Sequence, residues 1–154
     1  MSNEVTGRRR VLPPVYLLGA MILMTALHLV LPGAQVFRSP FRYIGLPVLV
    51  LALALIVWTA VLFRKAGTTI RPFEESSRLV LDGPYRWSRN PIYLGMITGL
   101  VGVGVLLGSG SPFAVIPIFT VVIDVRFIRA EEAALEKTFG TTYAAYKARV
   151  RRWL

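Results

Sequence analysis

Two uninterrupted apolar runs, each about the length needed to cross a lipid bilayer as a helix, leave this chain few folds to choose from. Val11–Leu31 carries only Tyr16, Thr25 and His28 as polar interruptions, and Tyr43–Phe63 carries Trp58 and Thr59. At about 1.5 Å per residue each run makes roughly 31 Å of helix, close to the hydrocarbon thickness. Pro13 and Pro14 fall in the first turn of the first run, where a missing N–H does little harm. A third apolar block, Ile92–Val125, is broken by Gly108-Ser109-Gly110-Ser111-Pro112 and reads as two antiparallel helices joined by a tight turn. Each half has only about 14–17 residues, so it spans only by running on into its polar flanks. The fourth helix can do so, because nothing in Asp124–Lys137 breaks a helix. Arg8-Arg9-Arg10 ahead of the first run resemble the start of a signal peptide. That run is nevertheless longer than the ~7–15 residues of a signal core and no A-x-A-like site follows it, so it is read as a span.

The expected fold is therefore all-α: a polytopic membrane bundle of four transmembrane helices plus a C-terminal cytoplasmic helix. Its 154 residues form a single domain, with two N-terminal spans in 1–63 and a core in 64–154. Charge placement supplies the orientation. Apart from Arg38 and Arg42, every Lys and Arg precedes the first span, lies in Arg64–Asn90, or follows Val125. The positive-inside rule then puts both termini in the cytoplasm, which an even number of spans allows. On this reading the net charge of +10 reports topology and attraction to anionic headgroups; membrane lipids are the expected partner, and nucleic acid is not. The lack of cysteine excludes disulfides and thiolate metal sites, and one histidine excludes a multi-histidine centre, so no metal is expected.

The third span is glycine-rich. Gly95 with Gly99, and Gly104 with Gly108, are small-xxx-small pairs that let a neighbouring helix approach closely. Close helix packing is the plainer explanation; room for a ligand is the functional one.

Two polar stretches carry the chemistry. In Arg64–Asn90, Asp82-Gly83-Pro84 signals a turn, and Asn90-Pro91 marks a helix start with Asn90 as N-cap and Pro91 at the first position. Tyr85, Trp87 and Tyr93 cluster at the entry to the third span, as an interfacial aromatic belt would. Beyond the fourth span, helical spacing puts Asp124, Phe127, Ile128, Glu131 and Leu135 on one face. A carboxylate on such an apolar stripe must find a partner. Glu132, by contrast, is expected in a surface ion pair with Arg129.

These residues resemble a known family. Leu79-Val80-x-x-Gly83-Pro84-Tyr85-x-x-x-Arg89-Asn90-Pro91-x-Tyr93, followed after two spans by Glu131-Glu132-x-x-Leu135-x-x-x-Phe139-Gly140-x-x-Tyr143-x-x-Tyr146, resembles the isoprenylcysteine carboxyl methyltransferase-like proteins, within a broader group that includes phospholipid N-methyltransferases. The resemblance covers roughly Gly67 to Arg152. It implies an integral-membrane enzyme that uses S-adenosylmethionine without a dinucleotide-type fold, and the chain has no G-x-G-x-x-G after a strand. It further implies a cofactor site facing the cytoplasm, made of Ser77, Leu79, Val80, Tyr85, Arg89, Asn90, Pro91, Tyr93 and Glu131. In that site Glu131 would meet the cofactor's ammonium or ribose hydroxyls, and the aromatics its sulfonium. Many members have His at the position of Asn90, and the prenylcysteine enzymes have Arg at that of Phe127. Arg126 and Arg129, flanking Phe127, become the candidates for an acceptor's anionic group, and Glu75 (or its neighbour Glu74) the candidate proton acceptor for an amine. The expected partner is a lipophilic or lipid-linked acceptor, with phosphatidylethanolamine N-methylation as the alternative and a homo-oligomer allowed. A non-catalytic membrane scaffold, docking through the glycine-rich hairpin, is the competing reading from another class.

Overall fold

The computed structural model describes residues 12–67 and 79–154. Among them are five α-helices and no strand: α1 (Pro13–Val30), α2 (Gly45–Ala66), α3 (Pro91–Leu107), α4 (Val115–Ile123) and α5 (Arg129–Arg149). Between α4 and α5 the helix does not stop; Asp124–Ile128 forms a π turn, so the chain is helical from Ser111 to Arg149. Three of the segments are long and apolar enough to cross a membrane, and α3 is a shorter apolar helix of 17 residues. The 39-residue stretch beginning at Ser111 would run roughly 58 Å, about twice a hydrocarbon core, so its second half must leave the bilayer. The charges from Arg126 onward mark where it does. The separate C-terminal helix expected from the sequence is thus the continuation of α4.

Outward faces are apolar and bare. Leu29 is 74% exposed, Val50 67% and Val121 61%, as a lipid-facing surface requires. The interior is narrow. Met24 of α1, Leu100 of α3, Ile123 of α4 and Ile128 of the π turn are fully buried at its centre, with Tyr93, Met96, Phe119 and Phe127 around them.

The glycines of α3 explain its closest neighbour. A Cβ on Gly95 would lie 2.6 Å from Ile56 Cγ1, and one on Gly102 2.9 Å from Leu49 Cγ. From α2, a Cβ on Gly45 would lie 2.5 Å from the Gly102 carbonyl oxygen. The small residues are what let α2 and α3 pack backbone to backbone. Gly108, at φ 80°, ends α3 in the left-handed region that favours glycine.

The loop after α1 is zipped onto the α3–α4 turn. Gly108 O accepts from the amides of Val36 and Phe37, Gly110 N–H donates to Ala34 O, and His28 Nδ1 lies 2.8 Å from Ser109 Oγ. These bonds close one end of the bundle. The site lies at the other.

Candidate functional site

Leu79, Val80 and Leu81 lead half-buried into a single 3-10 turn, Gly83–Arg86, in which Gly83 takes φ 60° and Pro84 is buried. The turn aims the following aromatics in opposite directions. Trp87 stays 62% exposed, edge-on to Trp58 of α2 at 6.1 Å between centroids. Tyr85 turns inward, edge-on to Phe63 at 5.6 Å, and its carbonyl accepts the Tyr146 hydroxyl at 2.7 Å. The aromatic belt expected here is therefore split. Trp87 fits it; Tyr85 and Tyr93 face the interior.

Tyr93, in the first turn of α3, is 6% exposed, and its hydroxyl donates to Glu131 Oε1 at 2.7 Å. This bond joins the polar stretch before α3 to the acidic turn after α4. Phe127 lies beneath it, 6.5 Å from the Tyr93 ring and 5.4 Å from Tyr16 of α1. Glu131 stands three residues beyond Ile128, outside the spanning part of the helix. Burial pushes its carboxyl up to about 7; the Tyr93 hydrogen bond opposes that and the Glu132 charge adds to it. The Tyr85 phenol is likewise raised, first by burial, then by Glu131 and Tyr146. A neutral phenol can donate to a carboxylate, and two aromatic faces beside one titratable carboxylate suit an organic cation.

Behind this pair is an ionic layer that the sequence reading misassigned. Glu132 is 6% exposed, not on the surface. Arg152 grips it with two nitrogens, Nε to Oε1 at 3.2 Å and Nη2 to Oε2 at 2.6 Å, and reaches Asp124 Oδ1 with the third at 3.0 Å. Arg89 faces Glu132 as well, with Nη1 3.4 Å from Oε1 and a side chain 9% exposed. Arg129, the expected partner of Glu132, instead pairs with Asp124 at 2.9 Å. The cause is the π turn. Its i to i+5 spacing brings Arg129 over Asp124, and its extra residue sets everything after Ile128 back around the axis by about one position, so Glu132 comes onto the inward side.

The other expected residues fall as follows. Pro91 is buried at the first position of α3. Asn90 holds the N-cap position but does not cap: its Nδ2 donates to Arg152 O at 3.2 Å, as does Ser88 Oγ. Arg126 is exposed on the π turn. Ser77, Glu74 and Glu75 lie outside the described residues. Sequence reasoning passed over Ser88, Arg152 and Trp153, the last packed against the core. For the last two the signal was the run Arg151-Arg152-Trp153, which reads as a basic tail until its partners are seen. Gly140, with φ 48° and ψ −121°, breaks α5 so that Tyr143 and Tyr146, 1% and 5% exposed, turn back toward the Tyr85–Asn90 segment.

A family model described as phospholipid methyltransferase matches residues 41–142, which takes in α2, both polar stretches and most of α5. The chain belongs to the phospholipid methyltransferase family. It is also similar, with a TM-score of 0.70 and 25% identity over 92% of its length, to the eukaryotic intramembrane Ras methyltransferase ICMT, an isoprenylcysteine carboxyl methyltransferase. It spans about half the length of that protein, 51%. An uncharacterized protein of Haemophilus influenzae is 38% identical over 63 residues, 41% of this chain and the whole of that one. The family match and the structural likeness agree with the fold described above, an all-helical membrane protein.

Proposed function

We propose that this chain is an S-adenosylmethionine-dependent integral-membrane methyltransferase. It acts on a lipophilic or lipid-linked acceptor at the cytoplasmic face of the membrane, in the manner of the isoprenylcysteine carboxyl methyltransferases. The observation that carries this reading is the 2.7 Å hydrogen bond from Tyr93 to Glu131, which unites two stretches 38 residues apart that each resemble half of a cofactor site. Membership of the phospholipid methyltransferase family and the likeness to ICMT support it.

The residues present fit such a cofactor. Glu131 offers a carboxylate for an ammonium or for ribose hydroxyls, while Tyr85 and Tyr93 offer aromatic faces and phenols. Leu79, Val80, Asn90 and Pro91 frame the same segment with apolar contacts and backbone groups; Ser77 belongs with them by sequence. Bound there, the cofactor would supply a methyl carbon already activated by a positive sulfur. What remains for the protein is positioning, which can contribute several kcal/mol of barrier lowering. Glu131 and the tyrosines orient the donor, and the apolar helices admit the acceptor from the bilayer.

For the acceptor, Arg126, exposed on the π turn, is placed to meet a carboxylate or phosphate, while Arg129 is already engaged by Asp124. A carboxylate acceptor needs no base. An amine acceptor must lose a proton, for which Glu75 is the nearest candidate in sequence. The family's description, phospholipid methyltransferase, supports a lipid acceptor, of which phosphatidylethanolamine N-methylation is the second reading.

The test has two parts. Purified protein in nanodiscs should give binding heat with S-adenosylhomocysteine. Incubated with methyl-labelled S-adenosylmethionine and total membrane lipid, it should then transfer label to a lipid identifiable by mass spectrometry. Folded protein with no binding heat would overturn the proposal, and a co-purifying stoichiometric partner in its place would favour the scaffold reading.

A further inference from the structure

Residue 152 is tied to three separate parts of the chain at once. Its guanidinium holds Glu132 with two nitrogens and Asp124 with the third, so it spans the π turn and the start of α5. Its carbonyl accepts from Ser88 Oγ and from Asn90 Nδ2, both at 3.2 Å, and the carbonyl before it accepts the Arg89 amide at 3.0 Å. The Ser88 hydroxyl in turn receives the Asn90 amide at 3.1 Å. The segment fastened by these bonds, Ser88–Asn90, connects Tyr85 to Tyr93; the helix fastened by the guanidinium carries Glu131. Arg152 therefore acts on Tyr93 and Glu131 through these partners.

We infer that Arg152 is a positioning residue for the cofactor site: it clamps the Tyr85–Tyr93 segment against the Glu131 turn and balances the charge of Glu132 behind it. The inference rests on the function proposed above. A two-nitrogen fork on one carboxylate fixes direction as well as distance, which a lysine ammonium cannot do. Facing Glu131 are the Tyr93 hydroxyl from α3, Tyr85 from the preceding segment and Glu132 on its own helix, with Arg89 and Arg152 standing behind Glu132. Removing the Arg152 cation leaves Glu132 less balanced, and its charge then opposes ionisation of Glu131 more strongly.

The experiment titrates S-adenosylhomocysteine into the full chain in nanodiscs from pH 5.5 to 8.5, for wild type, Arg152→Lys, Arg152→Met and the double variant Glu132→Gln with Arg152→Met. Arg152→Met should bind about tenfold more weakly at pH 7, with the midpoint of its pH dependence moved alkaline by roughly half a unit or more. The double variant should return that midpoint to the wild-type value, because it removes the unbalanced charge with its partner. Arg152→Lys should keep the midpoint and lose affinity several-fold, for want of the fork. If Arg152→Met does not give monodisperse protein, Arg152→Lys and the double variant carry the test. A residue acting only in folding would lower affinity equally at every pH with no rescue by Glu132→Gln, and that result overturns the inference. Wild type without binding heat would overturn the cofactor reading itself, which separates the two failures.

Discussion

At the scale of single residues, Glu131 is the group whose ionisation the proposed chemistry depends on. Its carboxyl is raised to about 7 chiefly by burial, so the charge is complete only above that pH and is lost below it. If the charged form holds the cofactor's ammonium, affinity for S-adenosylhomocysteine should fall by about tenfold per pH unit below 7 and level off above. Calorimetry across pH 5.5–8.5 reads this directly. Glu131→Gln keeps size and a hydrogen-bond acceptor for Tyr93 but no charge, so its binding should be weaker by about tenfold or more at pH 8 and flat with pH. Tyr93→Phe removes the donor and keeps the ring. It should cost less than Glu131→Gln if the aromatic face contributes, and it should move the midpoint of the pH dependence alkaline, because the hydrogen bond that favours the Glu131 carboxylate is lost.

At the scale of elements, the α2–α3 contact makes sharp demands on side-chain volume. Gly45→Ala would press a methyl to 2.5 Å from the Gly102 carbonyl, a clash with backbone that cannot swing aside. It should destabilise the folded state by about 1–3 kcal/mol. Gly99→Ala, on α3, meets only the Ala52 methyl at 3.8 Å, and should be neutral or stabilising by up to about 1 kcal/mol through helix propensity. Thermal unfolding in detergent distinguishes them; equal effects would mean that α2 and α3 do not pack through their backbones. Of the two small-xxx-small pairs legible in the sequence, Gly95 with Gly99 does face α2, whereas Gly108 meets the Phe37 carbonyl, and Gly102, outside both pairs, makes a closer contact with α2 than Gly99 does. The pairs could not show that Gly104 faces Phe113 instead of α2, because that depends on where α4 lies.

At the scale of the whole molecule, the arrangement of charges predicts that the loop containing Arg38 and Arg42 faces away from the cytoplasm and the far end of α5 toward it. The absence of native cysteine makes the check clean. In intact cells a membrane-impermeant thiol reagent should label Ser39→Cys and not Ala144→Cys, with the reverse in inside-out vesicles. Labelling of both positions from one side would contradict the proposed orientation and with it a cytoplasmic cofactor site.

By itself the sequence determined the class of fold, since a run of about twenty apolar residues has no stable place but a bilayer or a deep core. It also determined the helix boundaries near Pro13, Pro91 and Gly108, where proline and glycine act on the backbone locally. The pairing of the two motif stretches was legible as well, through their resemblance to a family. Only the tertiary structure decided which acidic residue faces which partner. A π turn between Asp124 and Ile128 leaves no mark in a 3.6-residue pattern, yet it moves Glu132 from the surface to the interior and frees Arg129 for Asp124. Arg152 and Ser88 escaped for a related reason: their partners lie 20 to 64 residues away, and hydrogen bonds across such distances arise from how helices cross, not from neighbouring residues.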